Sequence, residues 1–308
     1  MSNSPISLKD GCEYLFVMES TKNQIDALTD VSETLLIPLY SRAAETQSKE
    51  PLLIDRKAVE IVEQLDAVFA TSASGLHQQL AKGKVRRLSN AKLIAFLALR
   101  SRRFDRYCQE YLQQHPRGVI VELGCGLSSR FSRIDNGKVE WYDLDLPEVI
   151  AIRNSFFPQT SRSHAIASSV LDFQWMDLIA PTTGTVLFLA EGLLMYLSEA
   201  GVRLLVRELQ RRFPGCELVC EVENRFVITA LQKKRWQRKF QRDHHLGEEV
   251  TMQFGIQDGR ELESWGQGIR FLDEWTIFDD PEKKLGWMNL FRFSKRLWKA
   301  QWVVHYQL

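Results

Sequence analysis

The feature that most constrains this chain is a short apolar run that ends in a glycine turn, Val119 to Gly126 (VIVELGCG). Val119, Ile120, Val121 and Leu123 are mostly β-branched, which is typical of a strand buried in a sheet. The glycines that follow let the backbone turn tightly and approach a ligand closely, because they carry no Cβ. The stretch therefore predicts a buried strand that ends beside a ligand.

A second strand candidate, residues 138–143 (KVEWYD), brings carboxylates to a particular distance from the first glycine. Asp143 lies 19 residues after Gly124 (143 − 124), and Asp145 lies 21 residues after it (145 − 124). In a β-α-β unit, a carboxylate about 20 residues beyond the glycine turn can bind both hydroxyls of a ribose. The spacing predicts a cofactor that contains a nucleoside.

The residues around the turn discriminate between two such cofactors. A dinucleotide site requires the pattern G-x-G-x-x-G, whereas the sixth position here is Ser129. Glu122 lies two residues before the first glycine, where its charge would repel a pyrophosphate and attract a cation. S-adenosylmethionine has a ribose but no phosphate, and it carries an ammonium and a sulfonium. The pattern favours S-adenosylmethionine, with NAD or a turn that binds no ligand as the alternatives.

Composition describes an ordinary globular protein, with 44% hydrophobic residues, 26% charged residues and a formal net charge of +1. This charge gives no reason to expect a nucleic-acid partner. No segment reaches about eighteen uninterrupted apolar residues, so no membrane partner is expected. The five cysteines lack a metal-ligand spacing and predict reduced thiols in a cytoplasmic enzyme without a metal. Nothing in the sequence indicates the oligomeric state.

Strand and helix candidates alternate along the second half of the chain. The strand candidates are 118–123, 138–143, 163–169, 185–190 and 216–223, followed by two more at about 269–278 and 301–307. This alternation predicts an α/β fold with a doubly wound, mostly parallel sheet, whose ligands bind at the carboxyl ends of the strands. The acidic residues of interest all follow such ends, which favours one shared site: Glu122, Asp143, Asp145, Asp172 and Glu191.

The chain divides into two predicted parts of one domain. Residues 1–115 form an N-terminal helical cap, which includes a helical tract from Ser89 to His115 that is expected to break near Arg100. Residues 116–308 form the core. Within the core, 226–268 is a predicted lid, because its second half is rich in glycine and suits a mobile loop.

Four motifs in sequence order, VELGCGLSSRF, WYDLDLPEVI, SVLD and LAEGLLMYL, resemble the leucine carboxyl methyltransferase family. More narrowly, they resemble its natural-product branch of O-methyltransferases, and the similarity covers roughly residues 32–308. The resemblance implies a Rossmann-like class I methyltransferase fold with S-adenosylmethionine as methyl donor. The implied acceptor is a hydroxyl or carboxyl of a polyketide- or peptide-type secondary metabolite. The alternatives are a protein C-terminal carboxylate as acceptor, an NAD-dependent oxidoreductase, and a non-catalytic protein that binds S-adenosylmethionine.

The resemblance also implies roles for individual residues. Arg100 matches the family's arginine that binds the methionine carboxylate, and Glu191 matches its glutamate after the fourth strand. Asp145 matches its ribose-binding acid, with Asp143 as the competitor. The implied cofactor-binding residues are Arg100, Glu122, Gly124, Gly126, Asp143, Asp145, Glu191 and an adenine-contacting pair, Asp172 and Phe173. The family commonly has an aspartate where this chain has Ser128, so contacts near that position are expected to differ.

The acceptor chemistry sets the need for a base. A carboxyl is already ionised at neutral pH, whereas a hydroxyl needs a group that removes or attracts its proton. Tyr196 and His244 are the candidate catalytic residues, with His245 and His164 as further candidates for the base. The sequence does not decide between a hydroxyl and a carboxyl acceptor.

Overall fold

The computed structural model describes residues 35–72, 75–83, 91–179, 185–232, 251–280 and 282–308. The α-helices of these residues are α1 (Leu36–Thr46), α2 (Arg56–Phe69), α3 (Gly75–Ala81), α4 (Ala91–Gln114), α5 (Arg130–Ile134), α6 (Pro147–Phe156), α7 (Glu199–Arg212), α8 (Arg225–Leu231) and α9 (Lys295–Trp298). The strands are β1 (Val119–Leu123), β2 (Glu140–Asp145), β3 (Ser163–Ala167), β4 (Val186–Ala190), β5 (Glu217–Glu223), β6 (Arg270–Trp275) and β7 (Gln301–Gln307). Short 3₁₀ helices are formed by Phe173–Leu178, Leu194–Tyr196, Glu261–Ser264 and Lys283–Phe293.

The strands form one seven-stranded sheet in the order β3-β2-β1-β4-β5-β7-β6. Strands β1 to β5 are parallel, and β7 is antiparallel to both of its neighbours. The strand order reverses between β1 and β4, which opens a crevice at the carboxyl ends of these strands. The predicted α/β fold with a doubly wound, mostly parallel sheet is confirmed. The second strand ends at Asp145 rather than Asp143, so Asp145 is the residue at the sheet edge.

Strand β1 lies at the centre of the sheet because both of its faces are apolar. Val119, Val121 and Leu123 pack into the cluster that contains Trp175 and the buried face of α7. Ile120 points to the opposite cluster, which contains the buried face of α4. The alternation of side chains along a strand explains this division, and burial on both faces explains the continuous apolar run in the sequence.

Helices α1 and α2 form a separate apolar cluster over the glycine turn. Leu39 and Leu65 are buried in this cluster, and so are Leu127 from the loop after β1 and Ile152 from α6. Asp55 caps α2, since its side chain accepts a hydrogen bond from the backbone N–H of Ala58. These contacts attach the cap helices to the core beside the expected ligand site. The division into cap, core and lid stays a prediction.

The expected break of the helical tract near Arg100 is wrong. Helix α4 runs without interruption from Ala91 to Gln114, and it contains neither proline nor glycine. The side chain of Arg100 is buried against carboxylates of the core, so a charged residue in this helix marks an internal contact rather than a helix end.

Even α4 is not apolar enough to cross a membrane, and neither is any other helix that the structure describes.

Candidate active site

A cavity of about 680 Å³ lies over the carboxyl ends of β1, β2, β4 and β5. Its volume is within the range of about 300–1,000 Å³ that is usual for small-molecule sites. Cap residues of α1 and α4 line one wall, and the glycine turn lines the floor. Val227, Leu231 and Met252 from the predicted lid range also line the cavity, whereas residues 233–250 of that range lie outside the described residues.

The glycine turn has a backbone that only glycine adopts readily. Gly124 and Gly126 have φ angles of 66° and 49°, in the left-handed region. A Cβ at Gly124 would also lie 3.0 Å from Cδ1 of Leu193. The absence of side chains therefore shapes the floor of the cavity, as the sequence predicted.

Asp145 lies in the cavity wall and holds the turn in place. Its Oδ2 accepts a hydrogen bond of 2.7 Å from the Gly126 backbone N–H, and its Oδ1 accepts one of 2.7 Å from Leu146. Burial raises the pKa of Asp145, although these backbone N–H groups oppose the rise. Each carboxylate oxygen has a further lone pair, so the side chain can still accept from ligand hydroxyls.

Asp143 is buried next to the cavity but does not line it. Its carboxylate accepts hydrogen bonds of 2.7 Å from Nη2 of Arg153 and 2.9 Å from Nε1 of Trp141. Arg153 in turn donates to the carbonyl oxygens of Gly126 and Ser128. In the structure Asp143 therefore supports the glycine turn through Arg153, while Asp145 faces the ligand space.

A buried arginine connects the cap, the first strand and the fourth strand. Arg130 is 1% exposed, and its Nε donates to Asp105 of α4 at 2.9 Å. Its two Nη atoms form ion pairs with Glu122 and Glu191. Burial raises the pKa of Glu122, and the nearby carboxylate of Asp143 adds to the rise, although Arg130 opposes it. Arg130 was not among the residues predicted from the sequence.

Glu122 retains an acceptor atom beside the cavity. Its Oε1 is paired with Arg130, whereas its Oε2 is buried and has no hydrogen-bond partner among the described residues. A buried acceptor without a partner is costly, so a ligand that donates a hydrogen bond there would be favoured.

Arg100 reaches the cavity from α4, and two carboxylates hold it. Its Nε donates to Glu191 at 2.8 Å, and its Nη1 donates to Glu221 of β5 at 2.9 Å. Glu221 also accepts hydrogen bonds from the Gly192 backbone N–H and from Gln301. The hydrogen bonds described for Arg100 use Nε and Nη1, so Nη2 remains for a ligand carboxylate.

Glu191 lies between the two arginines. Its Oε1 accepts from Arg100 and from the Ser101 hydroxyl at 3.2 Å, and its Oε2 pairs with Arg130. Burial alone would raise the pKa of Glu191, but the guanidinium groups of Arg100 and Arg130 outweigh it and lower the pKa to about 2. Glu191 lines the cavity, yet its carboxylate already holds cap and core together.

We expect Glu191→Gln to change the pH dependence of stability. The folded pKa of about 2 is below the usual 4.5, so the charge of Glu191 stabilises the fold above pH 4.5 and ceases to do so as the pH falls towards 2. This corresponds to about 3 kcal/mol at pH 7 and about half of that at pH 3. Urea unfolding of wild type and variant at both pH values measures the difference. A difference that is independent of pH would contradict the ion-pair assignment.

Other predicted residues lie away from the cavity. Asp172 is exposed and caps the 3₁₀ helix that follows it, and Phe173 packs against the core, so neither lines the cavity. Ser168 and Val170, in the loop between β3 and Asp172, line the cavity instead. The adenine contacts of Asp172 and Phe173 stay a prediction. His164 is a half-exposed residue of β3 whose Nε2 lies 3.2 Å from Glu140 Oε2.

The predicted catalytic residues have different positions. Tyr196 lines the cavity, and burial raises the pKa of its hydroxyl to about 12. His244 and His245 lie outside the described residues.

Sequence reasoning did not identify Glu221 and Glu223. The sequence could have indicated them, because they lie two residues apart at the end of the strand candidate CELVCEVE. This spacing places both side chains on one face of the strand.

The charges of the cavity suit a cationic ligand. The charged side chains that line it in the described part of the chain are four carboxylates and two guanidiniums: Glu122, Asp145, Glu191, Glu223, Arg42 and Arg100. Both guanidiniums are held in ion pairs with carboxylates. A pyrophosphate would meet this acidic wall, whereas the ammonium and sulfonium of S-adenosylmethionine would be attracted to it.

The sheet order and the reversed β7 define the Rossmann-like class I methyltransferase fold, and the glycine turn facing Asp145 suits the ribose of S-adenosylmethionine. The sequence model of the leucine carboxyl methyltransferase family matches residues 36–210, which is more than half of the chain. The chain belongs to this family. The resemblance, the fold and the cofactor inferred from the sequence are thus confirmed.

Two curated relatives match most of their own length. One is the tetracenomycin polyketide synthesis O-methyltransferase TcmP of Streptomyces glaucescens, which is 31% identical over 82% of this chain and 86% of the relative. The other is the S-adenosyl-L-methionine-dependent methyltransferase dpfgK of Gibberella zeae, which is 26% identical over 88% of this chain and 91% of the relative.

Solved structures share the fold at low sequence identity. A methyltransferase candidate from Thermobifida fusca has a TM-score of 0.53 at 12% identity, covering 76% of this chain and 88% of its own. A DUF574 family protein from Streptomyces avermitilis has a TM-score of 0.52 at 10% identity, covering 79% and 95%. These structures support the architecture alone.

Proposed function

We propose that the chain is an O-methyltransferase that acts on a hydroxyl or carboxyl of a polyketide- or peptide-type natural product. The observation that carries this proposal is the continuity of the cavity, which extends from the glycine turn and Asp145 to an apolar end at β5 and α8. Met195, Leu197, Val227 and Leu231 line that end, which suits a sizeable apolar acceptor beside the cofactor. The name of the Streptomyces relative agrees with such an acceptor.

The residues of the chain bind and align the reactants. Bound S-adenosylmethionine supplies a methyl group that its sulfonium activates. In our proposal Asp145 accepts hydrogen bonds from the ribose hydroxyls, Glu122 accepts from the ammonium, and Nη2 of Arg100 donates to the methionine carboxylate. Cap residues of α1 and α4 line one wall of the cavity, and in our proposal they reduce the access of water, which favours the acceptor over water as the nucleophile.

Cofactor binding is tested by calorimetric titration with S-adenosylmethionine, S-adenosylhomocysteine and NAD. We expect binding of the first two and none of NAD, because the acidic wall disfavours a pyrophosphate. NAD binding without S-adenosylmethionine binding would instead indicate an oxidoreductase.

The acceptor is tested with a radiolabelled methyl donor and a panel of aromatic polyketides, peptides and carboxyl-terminal peptides of proteins. Labelled product whose methyl group is on oxygen supports the proposal. Label on nitrogen or carbon, or label only on a protein C-terminus, would contradict it. Binding of S-adenosylmethionine without transfer to any of them would indicate a non-catalytic protein.

A further inference from the structure

The apolar end of the cavity contains one carboxyl group that the site described above does not use. Glu223 is the last residue of β5, is 4% exposed and lines the cavity. Its backbone is fixed, because its carbonyl oxygen accepts from Ile256 N–H at 2.9 Å. No hydrogen bond or ion pair within the described ranges involves its carboxylate.

Glu223 differs from Glu221 in this lack of hydrogen-bond and ion-pair partners among the described residues. Glu221 lies two residues earlier on the same strand face and accepts from Arg100, Gly192 and Gln301. A buried carboxyl in a folded protein is normally satisfied in this manner. Glu223 instead faces a cavity that is large enough to contain a ligand, so we look to a ligand for its partner.

The environment of Glu223 makes it a competent proton acceptor. Burial raises its pKa well above the usual value, and the carboxylate of Glu221 adds to the rise while Arg100 opposes it. A carboxylate with a raised pKa binds a proton more strongly. The positive charge of the bound cofactor would favour its ionised form before the reaction.

The charges at this end disfavour an anionic acceptor. The cations of the cavity wall in the described part of the chain, Arg42 and Arg100, are each neutralised by carboxylates. Among the described residues of the wall, an acceptor carboxylate would find no further cation once Arg100 binds the methionine carboxylate, and it would face Glu223. A neutral hydroxyl could donate to Glu223 and accept from the Tyr196 hydroxyl, which also lines the cavity.

We propose that Glu223 is the proton acceptor of the reaction and that the acceptor of the methyl group is therefore a hydroxyl, which yields an ether. This inference rests on the proposed O-methyltransferase function. A lone pair of the hydroxyl oxygen forms the bond to the methyl carbon as the methyl–sulfur bond breaks, and the electron pair of that bond stays on sulfur. The hydroxyl proton passes to the Glu223 carboxylate and then to water.

Paired aromatic probes test the charge preference without catalysis. The protein is saturated with sinefungin, an analogue of S-adenosylmethionine that has an ammonium in place of the sulfonium and transfers no methyl group, and is titrated calorimetrically with naphthol and with naphthoate substituted at the same ring position. We expect wild type to bind naphthol at least about tenfold more tightly, and Glu223→Gln to reduce this preference to below about threefold. Glu217→Gln is the matched control, because Glu217 is at the opposite end of β5 and pairs with His305 at 2.7 Å. It should leave the preference unchanged.

Methyl transfer to naphthol tests the proton transfer. Glu223→Gln should lower turnover by at least about hundredfold, with the affinity for S-adenosylhomocysteine unchanged. Glu223→Asp keeps the negative charge but shortens the side chain by one methylene, so its carboxylate lies farther from the acceptor. This variant should retain the preference for naphthol and lose part of the turnover.

Several results would overturn the assignment. They are equal binding of the two probes by wild type, binding of neither probe, an unchanged preference in Glu223→Gln, binding of naphthol by wild type without methylation, and a loss of turnover below tenfold. Failure of wild type to bind S-adenosylhomocysteine would instead refute the proposed function itself, so the two failures are distinguishable.

Discussion

Replacement of Arg130 by methionine is expected to lower the free energy of unfolding by about 3–5 kcal/mol, because it removes a buried guanidinium that three carboxylates share and leaves Glu122 without its ion-pair partner. The carboxylates of Asp105, Glu122 and Glu191 all pair with this one guanidinium. Domains are stable by only about 5–15 kcal/mol, so the loss would be a large share of the total. Methionine keeps an unbranched side chain of similar length, which limits the effect of lost packing.

Dependence on pH distinguishes this loss of charge from a packing defect. Arg130 opposes the rise in the pKa of Glu122 that burial causes, so without it the pKa of Glu122 rises further and the folded variant takes up a proton more readily than its unfolded chain. The stability deficit of Arg130→Met should therefore be largest near pH 7 and shrink as the pH falls towards 4.5. Urea unfolding of both proteins over this range provides the measurement.

Arg162→Met is the matched control for Arg130→Met. Arg162 also forms an ion pair, with Asp135, but both partners are half-exposed to solvent. Its replacement should leave the unfolding midpoint unchanged within error, because water solvates the remaining charge. Equal losses in the two variants, or a deficit of Arg130→Met that does not respond to pH, would contradict the role given to Arg130.

Much of the fold follows from local sequence pattern. The apolar runs of β1 and β4 are continuous because both faces of these strands are buried, and this signal alone placed them to within a residue. Helix α7 was equally predictable, since its apolar stripe of Val202, Leu205 and Leu209 repeats at helical spacing. The glycine turn and Asp145 were predictable because their backbone and spacing requirements are local to one β-α-β unit.

The ion-pair network was not predictable, because its partners are distant in sequence. Arg100 and Glu221 are 121 residues apart, and Arg100 and Glu191 are 91 residues apart. A single sequence gives no signal for such pairs, so Arg100 looked like a charged interruption of a helix. Asp172 looked like an end-of-strand acid, whereas β3 ends at Ala167 and the chain turns before Asp172 is reached.

Asp145→Asn is expected to cause the larger loss of cofactor affinity, and Asp143→Asn the larger loss of stability. In our proposal Asp145→Asn weakens binding of S-adenosylmethionine by at least about tenfold, or 1.4 kcal/mol, because an amide cannot accept both the backbone N–H bonds and the ribose hydroxyls. Asp143→Asn should change the affinity less but destabilise the fold more, because it leaves Arg153 buried without a counter-ion.

Calorimetric titration with S-adenosylmethionine and urea unfolding, applied to both variants, measure the two effects separately. The contrast between the variants is informative because the residues are two positions apart on β2 and differ only in what they face. Asp145 faces the cavity, and Asp143 faces Arg153 and Trp141. Weaker cofactor binding by Asp143→Asn than by Asp145→Asn, at equal stability of the two variants, would transfer the ribose-binding role to Asp143. That result would also require Arg153 to move away from Asp143, since the guanidinium of Arg153 donates a hydrogen bond to the Asp143 carboxylate in the structure.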